Sequence, residues 1–316
     1  MINQIISQCS YFFHKEWYFY RKRLTKKYYV IYRSAGGAGF FSNYMWVLGH
    51  VIFAKKLGYI PVVDMQHYPT LYSEDKPVQG ESNAWNYYFE NVGEVSLEEV
   101  YASDHYVLGE DAPLHAYEEK YCVGSYRYPT EKAISYYAPI IQENLRLREE
   151  LKEEFEEKWK MCVESADQIL GVHVRGTDMK NNLGHPMPAT VQTYLNKAQE
   201  ILKQHPEITG IFLATDECNV IEVFKKAFQD SKWHLLLNEA FRVWDTGEVC
   251  KKGVHETAVV HARPDHKYLL GKEVLQDAYF LSKSHYLLCG HSNISNVVLL
   301  WNNHQFRDVI CIGEES

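Results

Sequence analysis

The sequence predicts an α/β protein built on mostly parallel sheets. Two observations carry that expectation. Near the start, an apolar run is followed by a glycine-rich turn, a helical pattern and a second apolar run, the order of an α/β unit. Beyond residue 168, short apolar runs alternate repeatedly with amphipathic helical patterns. The 316 residues, 46% of them hydrophobic, are enough to bury a large core and suit two domains.

The first strand is expected over residues 28–32. Gly36, Gly37 and Gly39 form the turn, and Phe40, Phe41, Ser42 and Asn43 lead into a helix through Leu57. These glycines permit either backbone approach to a ligand or a tight strand-to-helix bend. The turn lacks the Gly-x-Gly-x-x-Gly spacing and carries no P-loop lysine. A second strand follows over 60–64. Residues 65–140 are irregular and aromatic, and read as a wrapping for the first sheet and part of an acceptor groove. From 141, Leu147, Leu151, Phe155, Trp159 and Val163 recur every four residues between many charges, an amphipathic helix ending near Asp167. It reads as the bridge between a first domain of residues 1–165 and a second of 166–316.

In the second domain, strands are expected over 169–174, 211–214, 233–237 and 286–289. Helices are expected from Thr190, through Val220 to Phe228, over 265–283 and from Ser292. Open parallel sheets bind ligands beyond the carboxyl ends of their strands. Three such exits carry suitable groups: Arg175 with Asp178, Asp216 with Glu217, and Ser292 with Asn293 and Ser295. His173 and Arg175 share one strand face because side chains alternate with period two. Arg175 can clamp a phosphate or pair with a structural carboxylate. A helix opening near Ser292 offers unpaired N–H groups to phosphate. A carboxylate repels phosphate but accepts N–H bonds from a purine. Asp216 or Glu217 therefore suits the base end, unless Asp216 caps the next helix.

The formal net charge of −8 argues against a generalized nucleic-acid surface. The clearest basic cluster, Arg21, Lys22, Arg23, Lys26, Lys27 and Arg33, follows an aromatic stretch. It reads as a solvated lead-in to the first strand, with contact to an anionic membrane surface as the other reading. Seven scattered cysteines without a Cys-x-x-Cys pair fit reduced thiols and a cytoplasmic setting. No apolar run approaches the length of a membrane span, and no secretory signal is expected. No His-Glu-x-x-His is present, and no metal is expected.

The segments His173-Val-Arg-Gly-Thr-Asp178, Phe212-Leu-Ala-Thr-Asp-Glu217 and Leu288-Cys-Gly-His-Ser-Asn-Ile-Ser295 together resemble the ordered motifs of the GDP-fucose-dependent fucosyltransferase superfamily. That group spans α-1,6- and nodulation-type members and, more distantly, α-1,2- and protein O-fucosyltransferases. The resemblance is firmest over residues 168–300. It implies a GT-B architecture, two Rossmann-like domains facing a central cleft, with the nucleotide mainly on the C-terminal one. It implies inverting transfer of L-fucose from GDP-β-L-fucose to a glycan hydroxyl, without an obligatory metal or further cofactor. Other implied readings are a different nucleotide-sugar GT-B transferase or a non-catalytic nucleotide- or glycan-binding protein.

By the resemblance, Arg175 meets the pyrophosphate and His173 lies beside the guanosine. Asp216 and Glu217 hold the base-recognition position, Ser292, Asn293 and Ser295 the phosphate-contacting segment, and Gly37 with Asn43, in the glycine-rich start, are expected to join them in binding the nucleotide sugar. The α-1,6 members carry a carboxylate in the loop after the arginine motif. Here residues 179–186 contain no glutamate, so Asp178 and His185 are the candidate bases, with Glu256 a third. From their place in the aromatic first domain, and not from the resemblance, Trp85, Tyr87 or Tyr88 is expected to hold the acceptor. The localisation expected is cytoplasmic, with the cytoplasmic membrane face as a peripheral alternative.

Overall fold

The computed structural model describes residues 14–110, 128–175, 189–244 and 263–313. The chain forms two compact units. One comprises residues 1–121 and 139–148, the other 122–138 and 149–316.

The first unit holds strands β1 (Tyr28–Ile31), β2 (Ile60–Val63) and β3 (Tyr106–Leu108), with helices α1 (Phe40–Lys56) and α2 (Leu97–Ala102). The order is β2-β1-β3 and both pairings are parallel, so β1 is central. Its four residues are all buried, as a strand covered on both faces requires. The Tyr29 hydroxyl donates to the Gly109 carbonyl at 2.9 Å and lies 2.7 Å from His50 Nδ1. Burial pulls the His50 imidazole down to about 3, so it is neutral.

Trp85, Tyr87 and Tyr88 are 3%, 3% and 2% exposed, which corrects their expected role on the acceptor. Trp85 stacks on Phe89 at 4.3 Å and Tyr88 meets Phe40 edge-on at 5.0 Å. These aromatics build a core, an apolar payload in well-formed ring geometries. Residues 65–140 also hold more regular structure than expected, namely α2, β3 and the start of α3 (Glu131–Asn144).

The expected helix from 141 to 167 is two helices. Helix α3 ends at Asn144 and α4 runs Glu149–Cys162. Between them the chain pairs with residues 88–90. Glu90 N–H donates to Arg146 O at 2.9 Å and Arg148 N–H to Tyr88 O at 3.0 Å. Long-range pairing thus overrides a continuous helical pattern. Pro139, which cannot donate to the helical ladder, lies inside α3 where the two units divide.

The second unit holds β4 (Gln168–His173), α5 (Val191–Gln204), β5 (Ile208–Ala214), α6 (Cys218–Phe228) and β6 (His234–Leu236). It continues with α7 (His266–Lys283), β7 (Tyr286–Gly290), α8 (Asn293–Asn302) and β8 (Asp308–Ile312). The five strands are parallel in the order β6-β5-β4-β7-β8. Strand β8 was not expected from sequence. The two parallel sheets with flanking helices place the chain in the GT-B class of paired Rossmann-like folds. Among the described residues, no helix is long and apolar enough to cross a membrane.

Candidate functional site at the strand exits of the second unit

The strand order creates the site. From β4 the chain winds to β5 and β6 on one side, then returns to β7 and β8 on the other. Between β4 and β7 the strand order reverses, and the carboxyl ends at such a switch point are the usual ligand position in such sheets. His173 ends β4 and pairs in register with Cys289 of β7. Arg175 follows two residues later, and the Ser292 segment leaves β7.

Hydrogen bonding at this point has one direction. Ser295 Oγ donates to the Gly290 carbonyl at 2.7 Å, which uses its only proton. Its 3.0 Å contact with His173 Nδ1 is therefore donated by the imidazole. Its 3.0 Å contact with Ser292 Oγ is donated by Ser292. Ser292 in turn caps α8 by accepting from Ser295 N–H at 3.0 Å. His173 is thus fixed as the Nδ1–H tautomer with Nε2 an acceptor. Burial, aided by the Arg175 charge, pulls its imidazole down to about 3 and keeps it neutral. With Ser295 N–H capped, the first-turn N–H groups of Asn293 and Ile294 lack intrahelical partners.

At the β5 exit, the residue capping α6 is Glu217 rather than Asp216, and its side chain makes no capping bond. That corrects the alternative in which Asp216 is spent as an N-cap. Residues 240–243 lace onto this exit. Val243 N–H donates to Asp216 O at 3.0 Å, and Cys218 N–H to Val243 O at 2.8 Å. The Arg242 guanidinium donates to the carbonyls of Thr215, Ala240 and Asn238 at 3.1, 3.0 and 2.8 Å. Glu217 is 2% exposed, whereas Asp216 is only partly buried.

Two groups near these exits escape a sequence reading. Asp277 of α7 has a buried Oδ1 and feels the charge of Asp216. Burial raises its carboxyl to about 7, against the opposing pull of Arg242 and Asn238. The available signal was an acid inside the apolar run from Val274 to Leu281. Tyr194 of α5 reads as core and is 1% exposed, yet its hydroxyl lies where a side chain on Gly290 would sit. A Cβ there would be 2.0 Å from the hydroxyl oxygen and 3.4 Å from Cζ. Gly290→Ala is therefore expected to cost about 1–3 kcal/mol by overpacking. Tyr194→Phe in the same chain should recover most of that loss. Melting midpoints of the single and double variants test this coupling, and strictly additive effects would refute the close approach.

Gly37 and Asn43 belong to the first unit. Asn43 is 5% exposed and organises the turn: its Nδ2 donates to Ala38 O at 3.2 Å, and Arg33 donates to its Oδ1 at 3.4 Å. A Cβ on Gly37 would meet nothing within 4 Å, while one on Gly36 would sit 2.7 Å from Pro69 O. The steric need for glycine in this turn thus lies at Gly36. Asp178, His185 and Glu256 lie outside the described residues. Among the described residues, no group of three or more His, Cys, Asp or Glu side chains is arranged to hold a metal.

The family described as alpha-(1,6)-fucosyltransferase N- and catalytic domains matches residues 127–298, more than half of the chain. The protein belongs to that family. The matched segment contains all three exits, those of β4, β5 and β7. No curated protein matches the chain. Among solved structures, fucosyltransferase NodZ from Bradyrhizobium is 14% identical, with 86% of this chain and 92% of that one covered and a TM-score of 0.47. NodZ alpha-1,6-fucosyltransferase soaked with GDP-fucose is 15% identical, with 87% and 92% covered and a TM-score of 0.48. POFUT1 in complex with GDP is 13% identical, with 92% and 99% covered and a TM-score of 0.49. Membership rests on the family match.

Proposed function

We propose that this fucosyltransferase-family protein moves L-fucose from GDP-β-L-fucose to a hydroxyl of a glycan acceptor, with inversion. The reading rests above all on one arrangement: at the switch point of a parallel sheet the neutral His173 contacts Ser295 in the first turn of α8, and Arg175, whose charge His173 feels, follows two residues later. Arg175 supplies a rigid fork of donors to the pyrophosphate. The N–H groups of Asn293 and Ile294 add donors aligned with the helix dipole. Ser292 and Ser295 hold that helix end in place rather than spending their hydroxyls on the ligand. His173 Nε2 accepts from the nucleoside. Asp216, the more accessible acid at the β5 exit, accepts from the N–H edge of guanine, with Glu217 buried behind it. As the sugar–phosphate bond lengthens, Arg175 and the helix N–H groups stabilise the charge gathering on the β-phosphate. Gly37 and Asn43 shape the glycine-rich turn of the first unit, which we assign to the acceptor side.

This set of donors supplies positive character without a divalent ion, so transfer is expected to persist in EDTA. The test is product analysis after incubation with GDP-fucose and a glycan panel, with and without chelator. A fucosylated product of inverted anomeric configuration is expected. Loss in EDTA restored by one divalent ion would overturn the metal-free part alone. Transfer from UDP-sugars but not GDP-fucose would overturn the donor. Saturable GDP binding with no transfer to any acceptor on the panel would favour a binding protein.

A further inference from the structure

Residues 14–22 are helical and precede β1 in the first unit. One face of this helix is docked. Phe19 is 1% exposed, and its ring meets Tyr29 at 5.7 Å and Phe53 at 5.5 Å. Glu16 pairs with Lys56 at 3.2 Å, and Arg23 Nε donates to Gly58 O at 3.2 Å. Positions 16, 19 and 23 follow the spacing of a single helical face. By the same spacing, Trp17 and Arg21 lie on the neighbouring side, with Tyr20 at its border and Leu24 in the turn that follows, and this side ought to be polar if water is its only neighbour.

It is not polar. Trp17 is 54% exposed, Tyr20 63% and Leu24 79%, with Tyr18 beside them at 50%. Single exposed apolar residues are ordinary, but a contiguous group on one helical face marks an interaction surface. Cations are interleaved with it. The Arg21 guanidinium lies 5.2 Å over the Trp17 ring and the Lys22 ammonium 5.6 Å over the Tyr18 ring. Between residues 14 and 27 the sequence has six Lys or Arg and one Glu, a local charge of +5 in a chain of −8. Two copies meeting through this face in an isologous pair would oppose these like charges. An anionic surface complements them, and Trp and Tyr favour the boundary between headgroups and acyl chains.

We propose that this face docks on an anionic lipid surface. Trp17, Tyr20 and Leu24 enter the headgroup–acyl boundary, while Arg21 and Lys22 lie among the headgroups. Phe19 and the inward bonds of Glu16 and Arg23 hold the helix to the enzyme, so the whole protein is carried to the surface.

The test is co-sedimentation of the full chain with vesicles of phosphatidylcholine alone, or of phosphatidylcholine and phosphatidylglycerol in equal parts. Binding is expected on the anionic vesicles, weakening with salt. Arg21→Ser and Lys22→Ser should each weaken it about fivefold. Trp17→Ser combined with Leu24→Ser should weaken it about tenfold or more, with an unchanged melting midpoint. Brominated acyl chains should quench fluorescence in the native protein and less so in Trp17→Phe. Equal binding to neutral vesicles, undiminished binding by the variants, or no sedimentation would overturn the proposal. So would self-association, or binding to single-stranded oligonucleotides, that these same changes abolish in the absence of lipid affinity.

Discussion

Arg175→Ala is expected to lower the rate of fucose transfer by about 10²–10³-fold, the loss typical of removing a donor to developing negative charge. The folded state should survive, because Arg175 lies beyond the end of β4 and contributes no rung to the sheet. Arg175→Lys should recover little of the rate. An ammonium restores the charge but cannot place two parallel donors on a phosphate, and two-point geometry is what the clamp requires. Initial rates at saturating acceptor, with GDP affinity and melting midpoints as controls, decide the matter. Near-native turnover by either variant would exclude the clamp. Loss of turnover with a collapsed melting midpoint in both would assign Arg175 to the fold instead.

The motifs of the second unit were legible because each lies where an apolar run meets a helix signal. Thr190 and Ser292 show this at the level of single residues. Both cap their helices, accepting from N–H groups three residues on, as short hydroxyl side chains before an apolar run predict. What no local pattern carried was the strand order. Periodicity places β4 and β7 on the chain but not beside each other, and the switch point exists only once they pair. The same limit hid the meaning of Gly290, whose close neighbour Tyr194 is distant in sequence. In the first unit, composition misled. An excess of aromatics over 65–140 suggested a groove, yet Trp85, Tyr87 and Tyr88 are consumed in packing. The pairing of residues 88–90 with 146–148 ended a helix that the four-residue repeat alone would have continued. Glu217 is a further case: residue type favoured Asp216 as the cap, but the helix begins one residue later.

The catalytic base is the role on which residue chemistry must decide, since Asp178 and His185 lie outside the described residues. In the proposed transfer the attacking hydroxyl loses its proton as fucose leaves GDP, and positioned general bases contribute typically 10²–10⁴-fold. Asp178 follows Arg175 by three residues, which keeps a carboxylate close to the donor motif in sequence. If Asp178 takes the proton, Asp178→Asn should leave GDP affinity nearly unchanged and lower the single-turnover rate by about 10²-fold or more. His185→Gln should then have the smaller effect. If His185 is the base, that order reverses, and the rate should fall on the acidic side as the imidazole protonates and loses its lone pair. A carboxylate that merely orders the loop through backbone N–H bonds gives a third pattern. In that case Asp178→Asn weakens GDP binding together with the rate, because Asp178 follows the proposed clamp, Arg175, by three residues. Single-turnover rates and GDP affinities measured on both variants separate the three. Unchanged single-turnover rates in both would remove both residues from the chemistry and leave Glu256 or a group of the first unit to accept the proton.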